Sequence, residues 1–131
     1  MQITGIHHIA ILTDRYEESK KFYTEILGFN VLNETYREER DSYKLDLAIN
    51  SIYCIELFSF PDYKERNSFP ESKGLRHLAF AVDDVAQWIV FLRSKNVEVQ
   101  DVRIDEITGK KFTFFYDPNS QPLELYEVEQ L

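Results

Sequence analysis

The sequence predicts an α+β fold made of two βαβββ modules in tandem, and two observations carry that prediction. The stretch His8-Ile9-Ala10-Ile11 returns as His77-Leu78-Ala79-Phe80 at an offset of 69 residues, and Ile55-Glu56-Leu57-Phe58 returns as Leu123-Glu124-Leu125-Tyr126 at an offset of 68. The order strand, helix, three strands can also be read around each copy, with Asp14 falling on Asp83 and Phe22 on Phe91 at the same offset of 69. Repetition of a supersecondary unit of this size predicts two modules that share one sheet interface.

Each element has its own signal. Residues 4–12 read as a buried strand. Thr13 and Asp14 offer N-cap chemistry to a helix over 15–27, in which Tyr16, Phe22, Tyr23, Ile26 and Leu27 recur at helical spacing and which Gly28 stops. Strands follow over 29–37, 42–49 and 52–59, with Asn50-Ser51 as a tight turn between the last two. Between Pro61 and Gly74 the composition becomes polar and carries two prolines, as in a surface linker. The pattern then restarts with a strand over 75–82 and a helix over 85–95 capped by Asp83-Asp84. Strands over 97–104, 111–116 and 122–128 complete it, with Asp117-Pro118-Asn119-Ser120 turning the chain between the last pair. The expectation is one domain over 1–131, with module 1 at 1–60, the linker at 61–74 and module 2 at 75–131.

Bulk properties narrow the function. A length of 131 residues suits one domain, and 44% hydrophobic with 15% aromatic residues can fill a core. A net charge of −8 repels phosphate backbones and anionic bilayers, which excludes nucleic acid and membrane as partners and leaves a small-molecule substrate. There is no basic segment ahead of an apolar one at the N-terminus and no run of 18 apolar residues, so a soluble, cytoplasmic protein is expected. The lone Cys54 rules out an intrachain disulfide and suits a reducing compartment.

His8, Glu56, His77 and Glu124 are the candidate ligands. Side chains alternate across a strand, so if these four face a cleft, Ile9, Ile55, Leu57, Leu78, Leu123 and Leu125 face the helices. Ala10, Ala79, Ala81, Cys54, Phe58 and Tyr126 then share the ligand face, and the alanines leave open space above the sheet. A single histidine on an apolar strand is usually a hydrogen-bonded core residue. Two buried carboxylates, however, are costly without compensation. A divalent cation removes that cost, and two imidazoles with two carboxylates suit Ni, Zn, Co, Mn or Fe. His7 falls on the other face and reads as a residue supporting the site. Arg37, Arg40, Lys44 and Arg103 are candidates for an anionic substrate group. Cys54 reads as a packing residue.

These stretches resemble the vicinal oxygen chelate superfamily, and within it the small bacterial glyoxalase I-like proteins of the lactoylglutathione lyase type. The resemblance rests on His8-Ile9-Ala10-Ile11, Phe22-Tyr23-Thr24-Glu25-Ile26-Leu27-Gly28-Phe29, Ile55-Glu56-Leu57, Gly74-Leu75-Arg76-His77-Leu78-Ala79-Phe80, and Asp117-Pro118 leading to Leu123-Glu124-Leu125. It implies the glyoxalase/bleomycin-resistance/dihydroxybiphenyl dioxygenase fold, whose curved mixed sheets enclose a metal held by His8, Glu56, His77 and Glu124. It implies a lyase or isomerase that converts a methylglyoxal–thiol hemithioacetal to a thioester, with Glu124 as base and Glu56 as its near-symmetric counterpart. It also implies a homodimer, the modules pairing within one chain or across the dimer. Glutathione-specific members carry Arg four residues after the first ligand and Asn four after the second; here those places hold Leu12 and Phe60, so the thiol need not be glutathione. The alternatives are another metalloenzyme of the superfamily (epimerase, thiol transferase or dioxygenase) and a non-catalytic small-molecule-binding protein.

Overall fold

The computed structural model describes residues 1–129. The chain forms two compact units, Met1–Lys64 and Glu65–Leu131. Each contains one four-stranded mixed sheet and one α-helix, which is the tandem βαβββ arrangement expected, and a short 3-10 turn over Glu38–Arg40 lies in the first.

The first unit runs β1 (Ile9–Thr13), α1 (Tyr16–Lys21), β2 (Asn30–Arg37), β3 (Ser42–Ile49) and β4 (Ile52–Ser59). Its sheet order is β1-β4-β3-β2, with β1 parallel to β4 and the other pairs antiparallel. α1 continues as a wider π turn over Phe22–Ile26, in which the Leu27 amide donates to the Phe22 carbonyl at 3.0 Å. The wider turn lets two consecutive aromatics, Phe22 and Tyr23, both reach the core, at 4% and 0% exposure. Gly28 follows at φ +81°, the left-handed position that ends a helix at little steric cost in glycine. The β3–β4 turn places Asn50 and Ser51 at φ 51° and 67°, the twisted geometry that suits a tight hairpin.

The second unit repeats the plan with β5 (Leu78–Val82), α2 (Val85–Ser94), β6 (Arg103–Ile104), β7 (Lys111–Tyr116) and β8 (Pro122–Glu127), in the sheet order β5-β8-β7-β6. Val85, Ile89 and Leu92 of α2 are buried at helical spacing and pack on β7 and β8, where Phe115, Leu123 and Leu125 close the core. Asp84 caps α2: its Oδ1 accepts the Gln87 amide at 3.0 Å and its Oδ2 accepts the Gln87 side-chain amide at 2.9 Å. Asp84→Ala is expected to cost about 1 kcal/mol, read as a fall in urea midpoint at unchanged slope.

Four expected elements differ. The strand expected over 4–12 begins only at Ile9, and that over 75–82 only at Leu78, so His8 and His77 each precede their strand by one residue. The strand over 97–104 is reduced to Arg103–Ile104 plus a single bridge between Val99 and Phe115. At α1 the N-cap position is held by Arg15, whose amide donates to the Thr13 hydroxyl at 2.9 Å, one residue later than expected. No described helix is long and apolar enough to cross a membrane.

Candidate functional site

In both parallel ladders an alanine sits opposite the glutamate: Ala10 pairs with Glu56 and Ala79 with Glu124. The histidine lies two residues before that alanine, and its ring swings back to the carboxylate. His8 Nε2 lies 2.6 Å from Glu56 Oε2, and His77 Nε2 lies 2.7 Å from Glu124 Oε2. Both glutamates are nearly buried, at 8% and 9% exposure, while Ala10, Ala79 and Ala81 are exposed. Ile55, Leu57, Leu123 and Leu125 are buried on the opposite side, as strand alternation requires. The structure thus gathers the four predicted residues into two His/Glu pairs, one per unit.

The two pairs have different surroundings. In the first unit Asp46 is opposite Glu56 in the β3–β4 register, and Lys44 bridges them, with Nζ 3.0 Å from Asp46 Oδ1 and 3.4 Å from Glu56 Oε1. The hydrogen bond to Asp46 holds the Lys44 ammonium above its ordinary value. Tyr53 donates to Asp46 Oδ1 at 2.9 Å, and its ring stands edge-on to His8 at 5.8 Å. Burial, and then hydrogen bonding to Asp46 and Glu56, pushes the Tyr53 phenol up, so it stays protonated as a donor. His7 Nδ1 lies 2.9 Å from His8 Nδ1 and fixes the ring from behind. In the second unit the residue opposite Glu124 is Phe114, which meets His77 edge-on at 4.9 Å. One carboxylate is set in a charged network and the other beside an aromatic wall.

Asp46 and Tyr53 escaped the sequence reading. Asp46 was detectable, since Lys44-Leu45-Asp46-Leu47 alternates and puts Asp46 on the Glu56 face. Tyr53 was not. Leu47 pairs with Ile55 but Ala48 pairs with Tyr53, so Cys54 is an extra, bulged residue. A bulge re-aims the residues beyond it. Tyr53 therefore joins the ligand side, where unbroken alternation had put Cys54. Burial pushes the Cys54 thiol up, which suits packing rather than a reactive thiolate.

The candidate anion-binding cations also sort. Lys44 is engaged by Asp46 and Glu56. Arg37 stacks on Phe58 and Phe60 at 4.9 and 5.5 Å, and Arg40 on Phe60 at 5.4 Å, beside a cavity of 290 Å³ that Leu12 helps to line. Arg103 stacks on Phe112 and Phe114 at 5.2 and 5.1 Å.

The donor set fits a metal. An imidazole nitrogen and a carboxylate oxygen converge at contact distance in each unit, and His77 Nδ1 is buried with no hydrogen-bond partner. An unsatisfied buried nitrogen costs about 1–3 kcal/mol, a cost that an ordered water or an ion removes. Each unit supplies two such donors, and no group of three or more His, Cys, Asp or Glu is gathered among the described residues.

Repeated sheets, each carrying a His/Glu pair at its parallel ladder, define the class of protein. Residues 5–125 match the profile of the Glyoxalase/Bleomycin resistance protein/Dioxygenase superfamily, and the chain belongs to that family. It is 57% identical over 127 residues to the uncharacterised protein YwkD of Bacillus subtilis, covering 97% of this chain and 99% of that one. The crystal structure of the glyoxalase family protein from Enterococcus faecalis superposes with a TM-score of 0.89 at 46% identity, over 97% of this chain and 100% of the other. The metallothiol transferase FosB of Staphylococcus epidermidis is 29% identical over 128 residues, covering 96% of this chain and 83% of FosB.

Proposed function

We propose that this chain is a divalent-metal-dependent enzyme of the glyoxalase I type, isomerising a methylglyoxal–thiol hemithioacetal to a thioester. The observation that carries the reading is the His/Glu contact made twice, at 2.6 and 2.7 Å, at equivalent places in both units. His8, Glu56, His77 and Glu124 would hold Ni, Zn, Co, Mn or Fe, in a cytoplasmic homodimer. Such an ion supplies Lewis acidity to the adjacent oxygens of the substrate. Glu124 takes the proton from one carbon and returns it to the neighbouring one, as general base and then acid. The unequal surroundings favour Glu124 for this task. Lys44 and Tyr53 both engage Glu56 and fix its position, whereas Glu124 faces Phe114 and an exposed alanine. Leu12 and Phe60 give the neighbouring cavity apolar walls, which favours a thiol other than glutathione.

A second reading, transfer of a thiol to a small electrophile, draws on the likeness to FosB. One experiment separates the two. Purified protein is analysed for metal, stripped with chelator, reloaded with Ni or Zn, and assayed with methylglyoxal and a panel of thiols. Turnover that is lost on chelation and restored by metal is the expected result. No turnover with any thiol at full occupancy overturns the isomerase.

A further inference from the structure

The stretch 61–74 reads as a linker in the sequence, yet it furnishes one wall of a cavity of 280 Å³ that His77 also lines. Arg66, Arg76 and Arg103 face this cavity, and so does Glu71. Glu71 is spent on Arg76, which it engages at 3.1–3.3 Å through both guanidinium Nε and Nη2. Arg66 and Arg103 have no carboxylate partner among the described residues. Arg66 is held by three neutral acceptors: Gln121 Oε1 at 3.2 Å, Ser68 Oγ at 2.8 Å and the Arg76 carbonyl at 2.6 Å. Arg103 donates to Gln100 Oε1 at 3.0 Å and lies over the Phe112 and Phe114 rings. Gln100 in turn donates to the Tyr116 hydroxyl at 2.9 Å, which leaves that hydroxyl's proton available.

A guanidinium has five N–H donors, so Arg66 retains two and Arg103 four. Both are fixed by contacts that leave their charge intact. A positively charged, donor-rich cavity stands out in a chain of net charge −8. Its floor is Phe114, the ring that abuts His77. We propose that the substrate carries a terminal oxyanion, a carboxylate or a phosphoryl-type group, clamped by Arg66 and Arg103 while its apolar body lies on Phe114 towards His77 and Glu124. The oxyanion is charge-matched to the two arginines, and bidentate recognition of planar or tetrahedral oxyanions is the task to which the guanidinium is suited. This inference rests on the His77/Glu124 pair being part of the reaction centre, and it adds the class of molecule presented there.

Equilibrium binding tests it without turnover. The full chain, metal-loaded and metal-stripped, is titrated with inorganic phosphate, phenylphosphonate, benzoate and uncharged benzamide. Binding of the anions but not benzamide is expected, weakened at least tenfold in Arg66→Gln and in Arg103→Gln, with Arg103→Lys intermediate and thermal melts confirming that each variant is folded. Preference for phenylphosphonate identifies a phosphoryl-type group, and preference for benzoate a carboxylate. Binding unchanged in folded Arg66→Gln and Arg103→Gln protein, or benzamide binding as well as benzoate, overturns the clamp. Arginine-dependent anion binding in a protein that turns over no thiol adduct would retain the clamp and discard the isomerase. Turnover with arginine-independent binding would do the reverse.

Discussion

Glu124→Gln is expected to lower kcat by about 10²–10⁴-fold at saturating metal, the usual share of a positioned general base. The substitution keeps the side chain's length and one oxygen donor but removes the group that takes the proton. Glu56→Gln is expected to fail differently. Its carboxylate is the one that Lys44 approaches at 3.4 Å, in a network with Asp46 and Tyr53. Removing its charge leaves Lys44 and Asp46 to rearrange, and metal content falls first. Raised metal concentration should then recover much of the Glu56→Gln rate and little of the Glu124→Gln rate. Elemental analysis alongside kcat distinguishes them, and the opposite pattern would assign the base to Glu56.

The largest expected effect on stability is at Phe115. Its ring is fully buried, in a strand whose neighbour β8 contributes Leu123 at 0% and under a helix that contributes Val85 and Leu92 at 0%. Phe115→Ala is expected to cost about 3–5 kcal/mol from lost transfer free energy and the cavity left behind. At on the order of 3–5 °C per kcal/mol for a domain of this size, the midpoint of thermal unfolding should fall by roughly 10–20 °C. A fall of only a few degrees would mean that α2 collapses onto the vacated space. The neighbouring Phe114, on the opposite face beside His77, should be far less costly to truncate and should instead alter ligand binding.

The parts that were legible in the sequence are those governed by local pattern. Ser42–Ile49 and Ile52–Ser59 fall where alternation and the Asn50-Ser51 turn put them, and Asp84 caps the helix whose Val85, Ile89 and Leu92 set its period. The His/Glu pairing within each unit followed from the repeat. What was missed depends on partners distant in sequence. The parallel ladders start at Ile9 against Ile55 and at Leu78 against Leu123, so apolar residues ahead of them, such as Ile6 and Leu75, remain outside the strands. Residues 97–104 pair with β7 at Val99 and at Arg103–Ile104, and between them the Gln100 carbonyl accepts from the Thr113 hydroxyl at 2.8 Å, a matter of partner contact that composition does not report. Lys44 read as a candidate for an anionic substrate group, but Asp46 and Glu56 on its own face engage it. Arg66 looked like linker polarity until Gln121, 55 residues away, was seen to hold it.

The bulged Cys54 has a consequence for how a duplicated fold acquires two unlike halves. The bulge in β4 turns Tyr53 over, handing a phenol to the first unit's carboxylates without altering the histidine, the glutamate or the buried leucine and isoleucine on either side of that glutamate. The second unit keeps an unbroken β7–β8 register and a phenylalanine at the corresponding ladder position. Ten residues separate Asp46 from Glu56 and ten separate Phe114 from Glu124, so the copies differ here by a shift of register and not by an insertion, which leaves the shared His/Glu pair in place and changes only the company it keeps.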